Sequence, residues 1–119
     1  MEKAILVVDD QPGICMLLKD ILTEEGYYVE TANNGKEAID KINSFTFHLL
    51  MIDYHLPIFN GLEVVRQIKK TNLYIPTIIM SGMCEAVLAD NIECTNIVTI
   101  IGKPFNIKEV CRVVNSILG

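Results

Sequence analysis

Residues 4–10, with the sequence AILVVDD, join an apolar run directly to two adjacent carboxylates. The run AILVV (4–8) is typical of a buried strand, because a short apolar segment bounded by charge fits the interior of a sheet. Placing Asp9 and Asp10 side by side at the end of such a strand is costly, since like charges in a partly buried position repel each other. We therefore expect this strand end to serve a function.

Four further apolar runs follow along the chain. They are YYVET (27–31), FHLLMI (47–52), TIIM (77–80) and IVTII (97–101), and amphipathic stretches lie between them. This alternation is typical of βαβ units, in which helices cover both faces of a parallel sheet. The sequence predicts a doubly wound α/β domain of five strands and five helices, with the strand order 2-1-3-4-5 that is usual at this size.

The starts of three helices are predicted from capping residues. Asn34, Asn60 and Asn106 each stand three residues before a glutamate, a spacing at which the asparagine side chain caps a helix. The last helix has a stripe at helical spacing that we expect to be buried, consisting of Ile107, Val110, Cys111, Val114, Ile117 and Leu118. The helix predicted within residues 84–93 has the least regular pattern.

Composition limits the class of protein. The chain has 119 residues, half of them apolar, which is enough for one core, so a single domain over residues 1–119 is expected. The apolar runs are too short to span a bilayer and the N-terminus has no secretory pattern, so we expect a cytoplasmic monomer. The net charge of −5, without a basic cluster, argues against nucleic-acid binding. The scattered cysteines are expected to be reduced.

Polar side chains stand at the carboxyl ends of the predicted strands. Asp9 and Asp10 follow the first strand, Asp53 follows the third and Ser81 the fourth, and Lys103 comes just after the fifth. Ligands of such sheets bind at the carboxyl edge, next to the point where the strand order reverses. The three carboxylates would share one pocket there, and each pair at about 5 Å would repel by roughly 3 kcal/mol.

One lysine does not neutralise three carboxylates, so the sequence predicts a divalent cation. Mg²⁺ is favoured because it takes oxygen ligands, keeps several waters and bridges carboxylates to phosphate oxygens. Asp53, alone on the central strand, is then the predicted acceptor of a phosphoryl group, while Asp9 and Asp10 form a metal platform. Ser81 and Lys103 are predicted to hold phosphoryl oxygens, which supplies positioning and charge stabilisation.

Four motifs occur in an order and spacing that resemble a known family along essentially the whole chain. They are VVDD (7–10), MIDYHLPIFNGLE (51–63), IIMSG (78–82) and GKPF (102–105). Together they resemble the response-regulator receiver domains of two-component signalling. The stretch DDQPGI (9–14) is similar to the standalone receivers of sporulation phosphorelays.

The resemblance implies a (βα)5 flavodoxin-like receiver fold and roles for particular residues. It implies that Asp53 is the phosphoacceptor and that Ser81 is the switch hydroxyl. It implies that Lys103, followed by a cis peptide bond to Pro104, contacts the phosphoryl group. The implied Mg²⁺ ligands are the carboxylates of Asp9, Asp10 and Asp53 and the backbone carbonyl of His55. A receiver of this kind is not an enzyme beyond promoting its own phosphorylation and dephosphorylation.

The apolar face of the first predicted helix is wider than one sheet face requires. It covers about 160° instead of roughly 100°, through Ile14, Cys15, Leu17, Leu18, Ile21 and Leu22. Ile14 and Leu17 lie on the surplus edge, which the fold would place near Pro104 and Phe105. An apolar rim beside the acceptor suits docking of a helical partner that carries the phosphohistidine, either a histidine kinase or a histidine phosphotransferase.

Three other functions are alternatives to this hypothesis, and each depends on particular residues. Receivers usually carry Tyr, Phe or His where this chain has Ile100, so a receiver-like module that binds partners without phosphorylation stays open. An aspartate-nucleophile phosphatase would need a second acid where this chain has His55. A flavin-binding module would need a phosphate-cradling loop after the first strand, where Asp9 and Asp10 would repel the phosphate.

Overall fold

The computed structural model describes residues 2–57, 60–70, 74–82 and 96–119. These residues form, in chain order, β1 (Ala4–Val8), α1 (Pro12–Glu24), β2 (Tyr28–Ala32), α2 (Gly35–Ser44), β3 (Leu49–Asp53), α3 (Gly61–Lys70), β4 (Thr77–Ser81), β5 (Ile97–Gly102) and α4 (Ile107–Leu118). The helix predicted within residues 84–93 lies outside the described residues. Within the described ranges, no helix has both the length and the hydrophobicity that a membrane span requires.

The five strands form one parallel sheet in the order β2-β1-β3-β4-β5, which confirms the predicted topology. Val8 lies opposite Ile52 in the register of β1 with β3, so these two strands end at the same level. Asp53, the last residue of β3, lies opposite Met80 of β4. The neighbouring strands β1, β3 and β4 therefore all end at the carboxyl edge of the sheet, as the sequence predicted.

Both faces of the sheet are covered by helices. One core lies between the sheet and helices α2 and α3, and the other lies between the sheet and helices α1 and α4. β1 supplies both cores because side chains alternate along a strand: Leu6 and Val8 join the first, whereas Ile5 and Val7 join the second. Burial on both faces explains why the central strands are continuous apolar runs.

Two strands begin later than the sequence predicted. β2 begins at Tyr28 instead of residue 27, and its first backbone N–H donates to the carbonyl of Lys3. β3 begins at Leu49 instead of residue 47, because His48 makes a different pairing at this end of the sheet. His48 donates its backbone N–H to Ala4 and accepts the N–H of Ala4 on Nδ1, at 2.8 and 2.9 Å.

The three predicted helix caps are confirmed. The side-chain oxygens of Asn34, Asn60 and Asn106 accept backbone N–H groups three residues ahead, at 2.8, 2.9 and 3.2 Å. The buried stripe predicted on the last helix is confirmed at Val110 and Val114, and it is wrong at Ile107, which is 47% exposed. The remaining members, Cys111, Ile117 and Leu118, are half-buried. Ile107 is the first residue of α4, and among the described residues it is not one of the side chains that pack on the core.

Candidate functional site

The three predicted carboxylates meet at the carboxyl edge of the sheet. Asp9, Asp10 and Asp53 each offer one oxygen, and these oxygens lie within 4.8 Å of one another. Adjacent strands β1 and β3 end here, which is what brings the acids together. They differ in burial, because Asp9 is completely buried and Asp53 is 5% exposed, whereas Asp10 is open to solvent.

Asp9 is hydrogen-bonded at both carboxylate oxygens. Oδ1 accepts the backbone N–H of Gln11 at 2.9 Å, and Oδ2 accepts from Nζ of Lys103 at 2.7 Å. The backbone N–H of Asp9 donates to the carbonyl of Ala32 at 3.1 Å, which attaches the end of β1 to the end of β2. A buried carboxylate with these partners has one fixed position.

Lys103 lies between two of the acids. Its Nζ is 2.7 Å from Asp9 Oδ2 and 3.2 Å from Asp53 Oδ2. Burial lowers the pKa of Lys103, but the hydrogen bond and charge of Asp9, with those of Asp53, outweigh this effect and raise the pKa overall. The lysine is therefore a full positive charge inside the site. The Lys103–Pro104 peptide bond is cis, as the resemblance implied.

Asp53 combines burial with a single cationic neighbour. Burial raises its pKa and the charge of Asp9 adds to the shift, while Lys103 and the backbone N–H of His55 lower the pKa by less. That N–H donates to Asp53 Oδ1 at 3.2 Å. The imidazole of His55 is exposed and meets the ring of Tyr54 edge-to-face, with 4.9 Å between centroids. The assignment of the His55 carbonyl to a metal stays a prediction.

Ser81 ends β4 at the same edge and is completely buried. It lies opposite Gly102 in the register with β5, and its carbonyl accepts the backbone N–H of Lys103 at 2.9 Å. This pairing fixes where the lysine leaves the sheet. Ile100, at the position that departs from the family pattern, is half-buried and packs on the core beneath α2 and α3. The switch role of Ser81 stays a prediction.

The four residues predicted for partner docking also lie together. An open groove of about 480 Å³ is lined by Gln11, Ile14, Leu17, Lys103, Pro104 and Phe105, and we call it the apolar groove. Leu17 is 39% exposed, and Ile14 and Phe105 are half-buried. Because Lys103 belongs to both, the groove opens directly beside the acid cluster.

Gly61 lies against the backbone of the site, and no role was predicted for it from the sequence. A Cβ at this position would lie 2.7 Å from the carbonyl oxygen of Asp53 and 3.1 Å from Cα of Tyr54. The backbone N–H of Gly61 donates to the carbonyl of Tyr54 at 2.9 Å. A glycine therefore lets α3 begin against the backbone of Asp53. The signal was the dipeptide Asn60–Gly61, a capping residue followed by the residue without a side chain.

Without a bound metal ion, the charges of the site do not balance. Three carboxylates and one lysine sum to −2, and the donors are all oxygens held within 4.8 Å. This donor set fits Mg²⁺, which binds through carboxylates and keeps part of its water shell. The predicted Mg²⁺ site therefore agrees with the arrangement of the side chains.

The fold and the acid cluster together define a receiver domain. The family model described as the response regulator receiver domain matches residues 5–115. The chain belongs to this family of two-component signalling proteins.

Individual relatives agree with this assignment. The chain is 33% identical over 110 residues to sporulation initiation phosphotransferase F of Bacillus subtilis, covering 92% of this chain and 89% of that protein. It is 36% identical to the alkaline phosphatase synthesis transcriptional regulatory protein PhoP of Bacillus subtilis, covering 99% of this chain but 49% of PhoP. A solved structure of the response regulator TrrA from Thermotoga maritima, in complex with Mg²⁺–BeF, has a TM-score of 0.84 and 35% identity, and the match covers 97% of this chain and 98% of TrrA.

Proposed function

We propose that this chain accepts a phosphoryl group on Asp53 from a phosphohistidine, in a reaction that depends on Mg²⁺. The donor is a histidine kinase or a histidine phosphotransferase, and the phosphorylated chain relays the group or signals by binding a protein. The observation that carries the proposal is the position of Lys103 Nζ, 2.7 and 3.2 Å from two of three clustered carboxylates. Phosphoryl transfer is favoured by a fixed positive charge at the transferring oxygens, and Lys103 places one beside the carboxylates.

Burial and charge favour Asp53 over its neighbours as the acceptor. Asp9 is completely buried, which closes its carboxylate to an incoming phosphoryl group. Asp10 is exposed, and the contact of Lys103 is with the other two acids. Asp53 has a side chain that is 8% exposed and lies next to Lys103, so an incoming phosphoryl oxygen meets a positive charge.

The carboxylates of Asp9, Asp10 and Asp53 would hold the metal, with the His55 carbonyl as the further predicted ligand. Bound Mg²⁺ would neutralise the remaining charge and polarise the phosphoryl oxygens. The similarity to TrrA, which was solved with Mg²⁺–BeF, supports this part of the proposal. Lys103 and the hydroxyl of Ser81 would orient the phosphoryl oxygens at the carboxyl edge of the sheet.

We further propose that residues 1–119 act as one receiver domain, as a cytoplasmic monomer that binds neither membrane nor nucleic acid. Similarity over 89% of sporulation initiation phosphotransferase F supports a relay role. Receiver-like binding without phosphorylation is the second candidate, since Ile100 is aliphatic and half-buried where the family usually has an aromatic side chain. The labelling experiment below separates the two.

Incubation with acetyl phosphate and Mg²⁺ should add one phosphoryl group to the chain. Intact-mass spectrometry measures the addition, and a chelator should abolish it, because the uncompensated charge of the pocket repels the anionic donor. A chain that keeps its original mass with Mg²⁺ present would support the module that acts without phosphorylation. Labelling that the chelator leaves unchanged would contradict the metal site.

The apolar groove is the proposed docking surface for the phosphohistidine partner. It adjoins Lys103, so a helix seated on Ile14, Leu17 and Phe105 would bring a side chain to the acid cluster. An apolar strip next to a charged pocket separates recognition from chemistry, because these side chains make none of the described contacts with the acids. Buried apolar anchors of this kind contribute about 1–3 kcal/mol each to binding.

Replacing Ile14 or Leu17 by Ala should slow phosphotransfer from a histidine kinase that labels the wild-type chain. The expected loss is roughly tenfold for each 1.4 kcal/mol of docking energy. Labelling by acetyl phosphate, which needs no docking, should stay near the wild-type rate. Met16→Ala is the matched control, since Met16 is 67% exposed on the same helix but does not line the groove. If both reactions slow together, the residues support the fold; if neither does, the partner docks elsewhere.

A further inference from the structure

A thiol lies directly beneath the acid cluster, at the junction of three elements. Cys15, in the first turn of α1, is 5% exposed. Its Sγ–H donates to the carbonyl oxygen of Asp9 at 3.3 Å and also approaches the carbonyl of Ala32 at 3.8 Å. The carbonyl of Ala32 also accepts the backbone N–H of Asp9, so the ends of β1 and β2 and the start of α1 meet at one point.

Among the described contacts, the backbone carbonyl of Asp9 accepts a hydrogen bond from the thiol of Cys15. The backbone N–H of this aspartate is bonded to Ala32, and its side chain is bonded to Gln11 and Lys103. Asp9 is completely buried and its carboxylate is held at both oxygens, so a shift of its main chain would shift the carboxylate with it.

We propose that Cys15 is a positioning residue for Asp9, holding the backbone of this carboxylate in the place from which it binds Mg²⁺. The inference rests on the metal site of the proposed function. Groups that orient metal ligands typically change metal affinity by roughly 10–100-fold when they are removed. A thiol is a weak donor, so we expect an effect at or below the lower end of this range, about threefold to tenfold.

Three substitutions separate the hydrogen bond from the packing of the side chain. Cys15→Ala removes both donor and volume, Cys15→Val restores volume without a donor, and Cys15→Ser restores a donor. Each variant is titrated with Mg²⁺ alone, and calorimetry measures its affinity for the metal. The affinity should be lowered equally in the Ala and Val variants and should be partly recovered in the Ser variant. Cys111→Ala is the matched control, because Cys111 is half-buried on α4, outside the acid cluster, and its loss should leave the affinity unchanged.

Urea unfolding of the same variants distinguishes positioning from simple packing. Packing alone would make Mg²⁺ affinity follow stability, with Cys15→Val close to the wild-type chain in both. Positioning separates the two, since the Val variant should keep most of its stability and still bind Mg²⁺ weakly. Wild-type affinity in the Val variant, or equal affinity in the Ala and Ser variants, overturns the inference. A wild-type chain that binds no Mg²⁺ would instead overturn the proposed function, and the positioning role with it.

Discussion

Asp53→Asn should take up no phosphoryl group from acetyl phosphate under conditions that label the wild-type chain completely. The amide cannot form the acyl phosphate, and neither neighbouring acid can replace the carboxylate. Asp9 is completely buried, and Asp10 lies outside the contacts of Lys103. Intact-mass spectrometry with Mg²⁺ present measures the loss. Full labelling of the variant would show that another residue accepts the group.

Two matched variants show whether the loss belongs to the acceptor or to the metal. Asp10→Asn keeps the acceptor but removes an exposed ligand, so labelling should slow and recover as Mg²⁺ is raised. Asp20→Asn changes an exposed carboxylate on α1 and should label like the wild-type chain. If Asp53→Asn also recovered at high Mg²⁺, Asp53 would be a metal ligand rather than the acceptor.

Asp53→Asn should also be more stable than the wild-type chain at neutral pH in the absence of Mg²⁺. The pKa of Asp53 is raised in the folded protein, mainly by burial, so its ionisation disfavours folding. The wild-type chain should therefore gain stability as the pH falls through the folded pKa of Asp53 toward its unfolded value of 3.8. Urea unfolding should show a smaller gain in stability for Asp53→Asn, because this variant lacks the carboxyl group whose pKa is raised.

The edge of the sheet could be predicted because each part of it leaves a local signal. The apolar runs that end at Asp9, Asp53 and Ser81 mark strand ends, and parallel strands ending together define a pocket. The structure confirms the strand order and the meeting of the acids. The surplus apolar width of the first helix likewise predicted that Leu17 would be exposed, and the structure confirms it.

The features that the sequence did not reveal depend on distances between segments. The need for glycine at Gly61 comes from its approach to the carbonyl of Asp53, eight residues earlier, and no periodic pattern in the sequence connects the two positions. The contact of Cys15 with Asp9 depends on the angle at which α1 leaves β1, and hydropathy assigns that cysteine only to an apolar face. Ile107 keeps helical spacing but is the first residue of α4, where spacing alone does not predict burial.

Lys103→Met should cost more stability than any other single change at the site. The substitution keeps the apolar stem but removes the charge that lies 2.7 Å from Asp9 and 3.2 Å from Asp53. Breaking a buried ion pair leaves uncompensated charge, so we expect the unfolding free energy to fall by about 3 kcal/mol at neutral pH. Urea unfolding without Mg²⁺ measures it, and Lys36→Met, which breaks an exposed pair with Asp40, should change little.

The dependence on pH and Mg²⁺ identifies the cause of that loss. The pKa of Lys103 is raised above 10.5 in the folded protein, so its contribution is complete below that pH and disappears as the pH rises through the folded pKa. The stability difference between the wild-type chain and the variant should therefore be constant near neutrality and shrink above about pH 10.5. Added Mg²⁺ should stabilise the variant, because the metal supplies the missing positive charge to the same carboxylates. A difference that stays the same at every pH and with Mg²⁺ would mean that the charge of Lys103 does not cause the loss and does not hold the acids together.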